Sequence, residues 1–414
     1  VKLDEDGMTP FPALRPIDAF PLEHEGERYI CITDPAGYVE AQLLLSPMAF
    51  FIATCLYGGA TLEQVLRVIK EQCNGLPVAP DQIQALVAHL DEHGFLFSPR
   101  FDAIRDRMEG AFREAPVRPA HLAGGAYPAE PEALRAFLNT LLALDAPEVG
   151  DVGERPPPPR GLIVPHIDFA RGGPTYAAGY RRLAHCQPPD TVIIFGVAHA
   201  GAPEPFVLTR KDFDTPLGIL ETDQEIVAEL EAACAWDPFA SEAVHRTEHS
   251  VEFQAVVLAH LFGSSVKIVP VLCATFCEDP DMQRPGDLPD VARFLEVCRD
   301  IAAREDKRVC VIAGADLAHV GRRFGDDFEI DDSVIAGVAA RDEEDLAHIA
   351  GRAPEDFYAS VMKDSNARRV CGLGCIYAVL KTVDGQAQTA DLLHYGYAPD
   401  PAGGIVSFAA LELS

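Results

Sequence analysis

Three short apolar runs, each leading into histidine or aspartate, constrain this chain more than any other feature. They are Gly161–Gly173 (GLIVPHIDFARGG), Thr191–Gly201 (TVIIFGVAHAG) and Arg308–Gly321 (RVCVIAGADLAHVG). Runs of this length read as buried strands of an α/β sheet, and such sheets gather their chemistry at the carboxyl ends of strands. His166, His199, Asp316 and His319 fall at three such ends and are expected to share one site. The run of prolines at 156–159 reads as a rigid lead into the first of these strands, after which strand and helix patterns alternate.

The chain has 414 residues, more than a usual single domain, and its 48% hydrophobic content supports a sizeable core. Against 34 basic residues stand 64 acidic ones, a net charge of −30 that disfavours nucleic acid and anionic membrane surfaces as partners. No apolar run approaches the ~20 residues that span a bilayer, and the opening VKLDEDGMTP is too acidic for a signal peptide. Eleven cysteines scattered through strand-like and helix-like runs read as reduced thiols, so a cytoplasmic location is expected.

The first 115 residues have their own pattern. Residues 28–47 read as a short hairpin, followed by a helix from Pro47 to Tyr57 stopped by Gly58 and Gly59. Thr61 caps a helix with Leu62, Val65, Leu66 and Ile69 on one face, and Asp81 starts another carrying Ile83, Leu86, Val87 and Leu90. A strand-like Phe95-Leu96-Phe97 would supply a wing, making a winged-helix-like α+β module. Residues 81–97 contain no Lys or Arg, which ranks a DNA role low. The helical FDAIRDRMEGAFRE then leads to a boundary near Ala115, dividing the chain into 1–115 and 116–414. Through GGATLEQV and HLDEHGFLF the module resembles PqqD-like domains, which hold the leader segment of a ribosomally made peptide for a modifying enzyme. A docking or dimerisation domain is the plainer alternative.

In the larger part, two strand-end imidazoles suit a borderline metal and need a third donor. His249 and Glu252 sit one turn apart at the start of the helix VEFQAVVLAHLF, where both can face one site, or where Glu252 simply complements the helix dipole. The spacing of Asp316 and His319 lets the carboxylate bond one imidazole nitrogen and leave the other as a general acid or base. Cys371 lies where a polar stretch becomes a helix, a position that lowers a thiol pKa and suits a thiolate ligand or a nucleophile. The C-x-x-x-C pairs Cys371/Cys375 and Cys273/Cys277 also permit a four-cysteine zinc site.

Seven motifs in order, GLIVPHIDFARGGPTYAAGYRRL, FGVAHAG, DFDTPLGILETDQEIVAEL, EHSVEFQAVVL, VKIVPVL, GADLAHVG and VCGLGCIYAVL, resemble the Memo family, also called AmmeMemoRadiSam system protein B. The resemblance covers residues 116–414 and implies a mixed α/β sheet similar to class III extradiol dioxygenases. Carried over by motif, the metal ligands fall on His166, His199 and Cys371, with Asp316, His319 and His249 as the catalytic polar residues around them. There are departures. Ile167-Asp168-Phe169 stands where the family often has Ala-Gly-Tyr, adding a carboxylate and removing a hydroxyl, and Ala200 stands where many members have a second His. In HLAGGAY, His121 is displaced by one residue, and Cys371 replaces the carboxylate of a true extradiol site. The resemblance thus implies a non-haem oxidoreductase, with Fe(II) ahead of copper or zinc, acting on a catechol-like small molecule or a peptide. The rival is a non-catalytic iron- or copper-binding or scaffold protein, and a third reading is a hydrolase using Cys371 with His319 or His249. A radical SAM partner is implied by the family's name alone.

Overall fold

Thr61 shows how local sequence becomes structure in the N-terminal part. Its hydroxyl accepts the Gln64 N–H while the Gln64 side chain accepts the Thr61 N–H, closing both orphan donors at the start of a helix that buries Val65 and Ile69. The computed structural model describes residues 9–24, 26–73, 77–143, 155–276 and 284–414. The chain forms two units, Val1–Glu114 and Ala115–Ser414.

The first unit carries β1 (Asp18–His24), β2 (Glu27–Thr33) and β3 (Leu43–Leu45), then α1 (Pro47–Thr54), α2 (Leu62–Gln72), α3 (Pro80–Glu92) and α4 (Pro99–Glu114). The strands form one antiparallel sheet in the order β1-β2-β3, and Ile32, Leu43 and Leu45 pack with Val65, Ile69, Ile83 and Val87 into its core. The expected hairpin is the β2–β3 pair. Strand β1 was not expected, because Pro21 interrupts it; β1 pairs only with β2, and an edge position tolerates a missing N–H. The wing is smaller than expected. Phe95-Leu96-Phe97 contributes a single bridge, Leu14 to Leu96, and no strand. Helix α1 also ends three residues early, at Thr54.

In the second unit come β4 (Val117–Arg118), α5 (Pro131–Leu142), β5 (Gly161–Val164), α6 (Phe169–Ala184), β6 (Thr191–Val197), β7 (Phe206–Leu208), β8 (Asp212–Phe213) and α7 (Gln224–Ala233). There follow α8 (His249–Phe262), β9 (Lys267–Cys273), α9 (Pro289–Ala302), β10 (Val309–Gly314), β11 (His319–Gly321), α10 (Asp332–Ala350), α11 (Pro354–Met362), α12 (Leu373–Thr382), β12 (Ala390–Asp400) and β13 (Gly404–Leu413). β5, β10, β6 and β9 lie side by side and parallel at the centre of a mixed sheet. β7 closes one edge antiparallel; at the other, β13 pairs with β5, β11 and β12, all antiparallel.

Helices cover both faces, which is why the central strands are apolar throughout rather than alternating. Leu162, Val164, Val192, Ile194 and Ile312 point to one side, against Tyr176, Tyr180 and Val256 of α6 and α8. Ile163, Ile193, Phe195 and Val311 point to the other, against Phe294 and Cys298 of α9 and Ile376 and Val379 of α12. Among the described residues no helix is long and apolar enough to cross a membrane.

A buried ion pair fastens the lead into this unit. Arg118, fully buried, meets Glu252 of α8 at 2.5 Å and donates to the backbone carbonyls of His245, Glu248 and Pro119. Glu252 also accepts from the Tyr127 hydroxyl and from the N–H groups of His121 and Leu122. Replacing Arg118 leaves that carboxylate without its cation in a dry interior. Arg118→Met is expected to lower stability by about 3 kcal/mol, read as a fall in the urea midpoint at unchanged m.

Candidate metal centre

The parallel register aligns the ends of β5 and β10, with Val164 opposite Gly314, and sets Phe195 of β6 opposite Ala313. His166 follows β5 by two residues, His199 follows β6 by two, and Asp316 follows β10 by two. Two further segments are pressed against these ends, and glycine permits both. A Cβ on Gly314 would lie 2.5 Å from the Ser250 carbonyl oxygen, so only glycine lets the first turn of α8 approach with His249. A Cβ on Gly372 would lie 2.5 Å from the Ala315 Cβ, so the loop carrying Cys371 closes onto the β10 end for the same reason. That loop is strained. Ser365, Asn366 and Arg369 have φ of 55°, 54° and 53°, in the left-handed region.

His166, His199 and Cys371 offer three ligand atoms within 4.8 Å of one another. The His166 Nδ1 faces the Gly314 carbonyl at 2.8 Å, which places the proton there and leaves Nε2 as a lone pair 3.3 Å from the Cys371 sulfur. The His199 Nδ1 meets both oxygens of Glu248, at 3.0 and 3.1 Å, so its Nε2 is likewise directed away, toward Cys371. Glu248 also accepts the His199 N–H and caps α8 through Ser250 N–H. One of its oxygens lies 3.3 Å from the His249 Nδ1, and the His249 ring stacks on His199 with centroids 4.6 Å apart. His199, Glu248 and His249 form a second close group of potential donors.

Electrostatics follow from burial. His166, with 2% of its side chain exposed, is driven down to about 3 by desolvation and then by His199. His249 falls to about 4 through desolvation, partly opposed by Glu248. For His199 desolvation pulls down, but Glu248 and Cys371 outweigh it and raise the group to about 10. Desolvation pushes Glu248 up, yet His199 overrides it and holds the carboxyl well below its usual range. The field between Glu248 and Cys371 therefore favours positive charge.

Several expectations need correction. Asp316 does not orient His319. Its Oδ1 accepts the His166 N–H at 3.0 Å, while the His319 Nδ1 lies against the Leu317 and Arg369 carbonyls at 3.1 and 3.2 Å. Glu252 does not join the site; it turns inward to Arg118. Asp168 caps α6 and pairs with Arg171, and the His121 backbone N–H bonds Glu252. Cys371 precedes the α12 N-cap Gly372, but desolvation raises its thiol, only partly opposed by His199, which disfavours the nucleophile reading. Of the four-cysteine set, Cys375 contacts Cys273, and Cys277 lies outside the described residues. Glu248 was not anticipated. Its one signal was an acidic residue directly before His249 at the start of an apolar helix.

Beside His199 and Cys371 opens a cavity of about 530 Å³ walled by Ala274, Phe276, Tyr358, Val370 and Leu373, with Asn366 and Arg369 as polar members. Arg369 is held by Asp326, and Thr275 and Ser365 add further polar groups, so the walls are mixed.

The family model described as Memo-like protein matches residues 118–410. The chain belongs to the Memo family. It is 25% identical over 395 residues to a MEMO1 family protein of Aquifex aeolicus, covering 95% of this chain and 97% of that one. It is 30% identical over 300 residues to a MEMO1 family protein of Methanopyrus kandleri, covering 70% of this chain and 96% of that one. The Aquifex alignment runs into the N-terminal unit. A solved structure of an uncharacterized protein from Escherichia coli K12 covers 61% of this chain and 99% of its own at 14% identity, with a TM-score of 0.36, too distant to bear on the fold. The three positions that resemblance to the Memo family marks as ligands form one of the groups whose donor atoms lie within 4.8 Å of one another.

Glu248 holds the His199 tautomer, so for a metal held by the three candidate donors its loss weakens binding without removing a donor. Glu248→Gln is expected to weaken metal affinity by roughly 10–100-fold in a chelator competition titration, with all three ligands retained.

Proposed function

We propose that this Memo protein is a non-haem metalloprotein whose centre holds Fe(II) through His166, His199 and Cys371 and supports an oxidoreductase reaction of the extradiol-dioxygenase-like class. The supporting observation is the donor set itself: two imidazoles whose Nδ1 atoms are tied to Gly314 and Glu248, and a sulfur, all within 4.8 Å. Such a set fits a borderline divalent metal and leaves positions open for exogenous ligands. A bound Fe(II) would supply Lewis-acid and one-electron chemistry there.

The chain's own groups do the rest. His319 has its Nδ1 fixed by two carbonyls, leaving Nε2 to accept or return a proton. His249, partly open to solvent and steadied by Glu248, is placed to hydrogen-bond a substrate oxygen. Asp316, buried, fixes the His166 backbone. The cavity, with Phe276, Tyr358 and Leu373 beside polar Asn366 and Thr275, accommodates a ring that also carries polar groups, whether a catechol-like small molecule or a peptide side chain. The N-terminal unit then serves as a recognition or docking module. Phe20 and Leu44, 44% exposed each, lie on the face of its sheet opposite the core and support that role.

The second reading is a protein that sequesters iron, copper or zinc without turnover. One observation favours it: no carboxylate is among the three donors, since Glu248 bonds the His199 Nδ1 and Asp316 lies 3.6 Å from the His166 Nε2, so a sulfur stands in that place. Protein loaded anaerobically with Fe(II) and desalted should retain about one equivalent, and His166→Ala should retain none. Oxygen uptake with catechols or peptides that falls in His319→Gln would establish the oxidoreductase. Stable iron with no uptake over the whole panel would leave the sequestering protein.

A further inference from the structure

Outside this centre, one more group of ligating side chains stands together. His89, Glu92 and His93, at the end of α3, bring three ligand atoms within 4.8 Å of one another. We propose that this turn is a second site, for a divalent transition metal of the zinc(II) class, independent of the centre proposed above.

The helix dictates the cluster. Val87 and Leu90 face the core of the N-terminal unit, so positions 89, 92 and 93, spaced i, i+3 and i+4, share the outward face. Asp91 is excluded from it, because it turns inward to the Ser98 hydroxyl. The His93 Nδ1 lies 2.9 Å from the His89 carbonyl, which puts the proton on Nδ1 and leaves Nε2 as a donor. The same bond fixes the ring, whose centroid is 4.5 Å from that of His89. The His93 ring is therefore already oriented.

Charge points the same way. The last carbonyls of a helix carry partial negative charge, which disfavours a carboxylate there and favours a cation. Glu92 occupies that turn. A divalent ion would answer both the carboxylate and the dipole. Two imidazoles and one carboxylate are a usual zinc set, and the exposed position leaves water to complete the shell. Because the ligands span the last turn and the His93 cap, the bound ion would also staple the helix end just before the Gly94 turn, whose carbonyl accepts from buried Arg15.

The test uses the full chain without a polyhistidine tag, stripped of metal and dialysed against zinc(II) alone. The wild type should take up one more equivalent than the double variant His89→Gln, His93→Gln. The double variant His166→Gln, Cys371→Ser, which disables the other centre, should keep that additional equivalent. Glu92→Gln should weaken it by at least the roughly tenfold that loss of a supporting group costs a metal site. The substituted side chains at 89 and 92 are exposed, and an unchanged melting temperature of the metal-free variants shows that the fold is intact. Equal zinc uptake by the wild type and the His89, His93 variant would overturn the proposal, whatever the other centre does.

Discussion

The Glu248 carboxylate sets the character of the whole centre. It accepts from the backbone and ring of His199, lies against His249, and caps α8 through Ser250, so one buried acid fixes two imidazoles and a helix end together. Its own carbonyl is held by Arg118, whose guanidinium also neutralises Glu252 one turn on. The chain from Arg118 through α8 to His199 is thus a continuous line of charge-assisted bonds, and these are the strong ones in a dry interior. The sheet supplies the other half. Parallel strands ending level put His166 and Asp316 beside each other without any long loop.

Much of this was legible because it rests on local pattern. Apolar runs ending in Pro-His, Gly-x-x-His and Gly-Ala-Asp announce strand ends, and the central parallel strands β5, β6 and β10 start and stop where those runs do. Cys371 was legible through family resemblance and through its place before an apolar helix. What was not legible is direction. His249 and Glu252 share a helix face by spacing, yet Glu252 is drawn to Arg118, a partner 134 residues earlier in the chain whose role no local pattern reveals. The pairing of Asp316 with His319 failed for a related reason: the ring nitrogen is taken by the backbone carbonyls of Leu317 and Arg369. Likewise β1, with its internal proline, is a strand only because β2 offers an edge.

Strain and packing concentrate where the chemistry is. Three non-glycine residues in the left-handed region, Ser365, Asn366 and Arg369, precede Cys371, and such backbone persists only when its surroundings over-determine it. Here they do. Arg368 is clamped between Asp342 and Asp345, with Asp342 further bonded by Tyr395 and Ser407 and Asp345 by Ser360. Arg369 is held by Asp326, and Gly372 packs on the β10 end. The loop that carries the cysteine is therefore tied down on both sides, and desolvation pushes its thiol up.

The central claim is that a cysteine sulfur and two imidazoles share one metal. X-ray absorption at the iron edge of anaerobically Fe(II)-loaded protein tests it most directly. One sulfur scatterer at about 2.3 Å is expected together with imidazole nitrogens, and loss of the sulfur in Cys371→Ser. An environment of nitrogen and oxygen alone in the wild type, or a spectrum unchanged by Cys371→Ser, would contradict it.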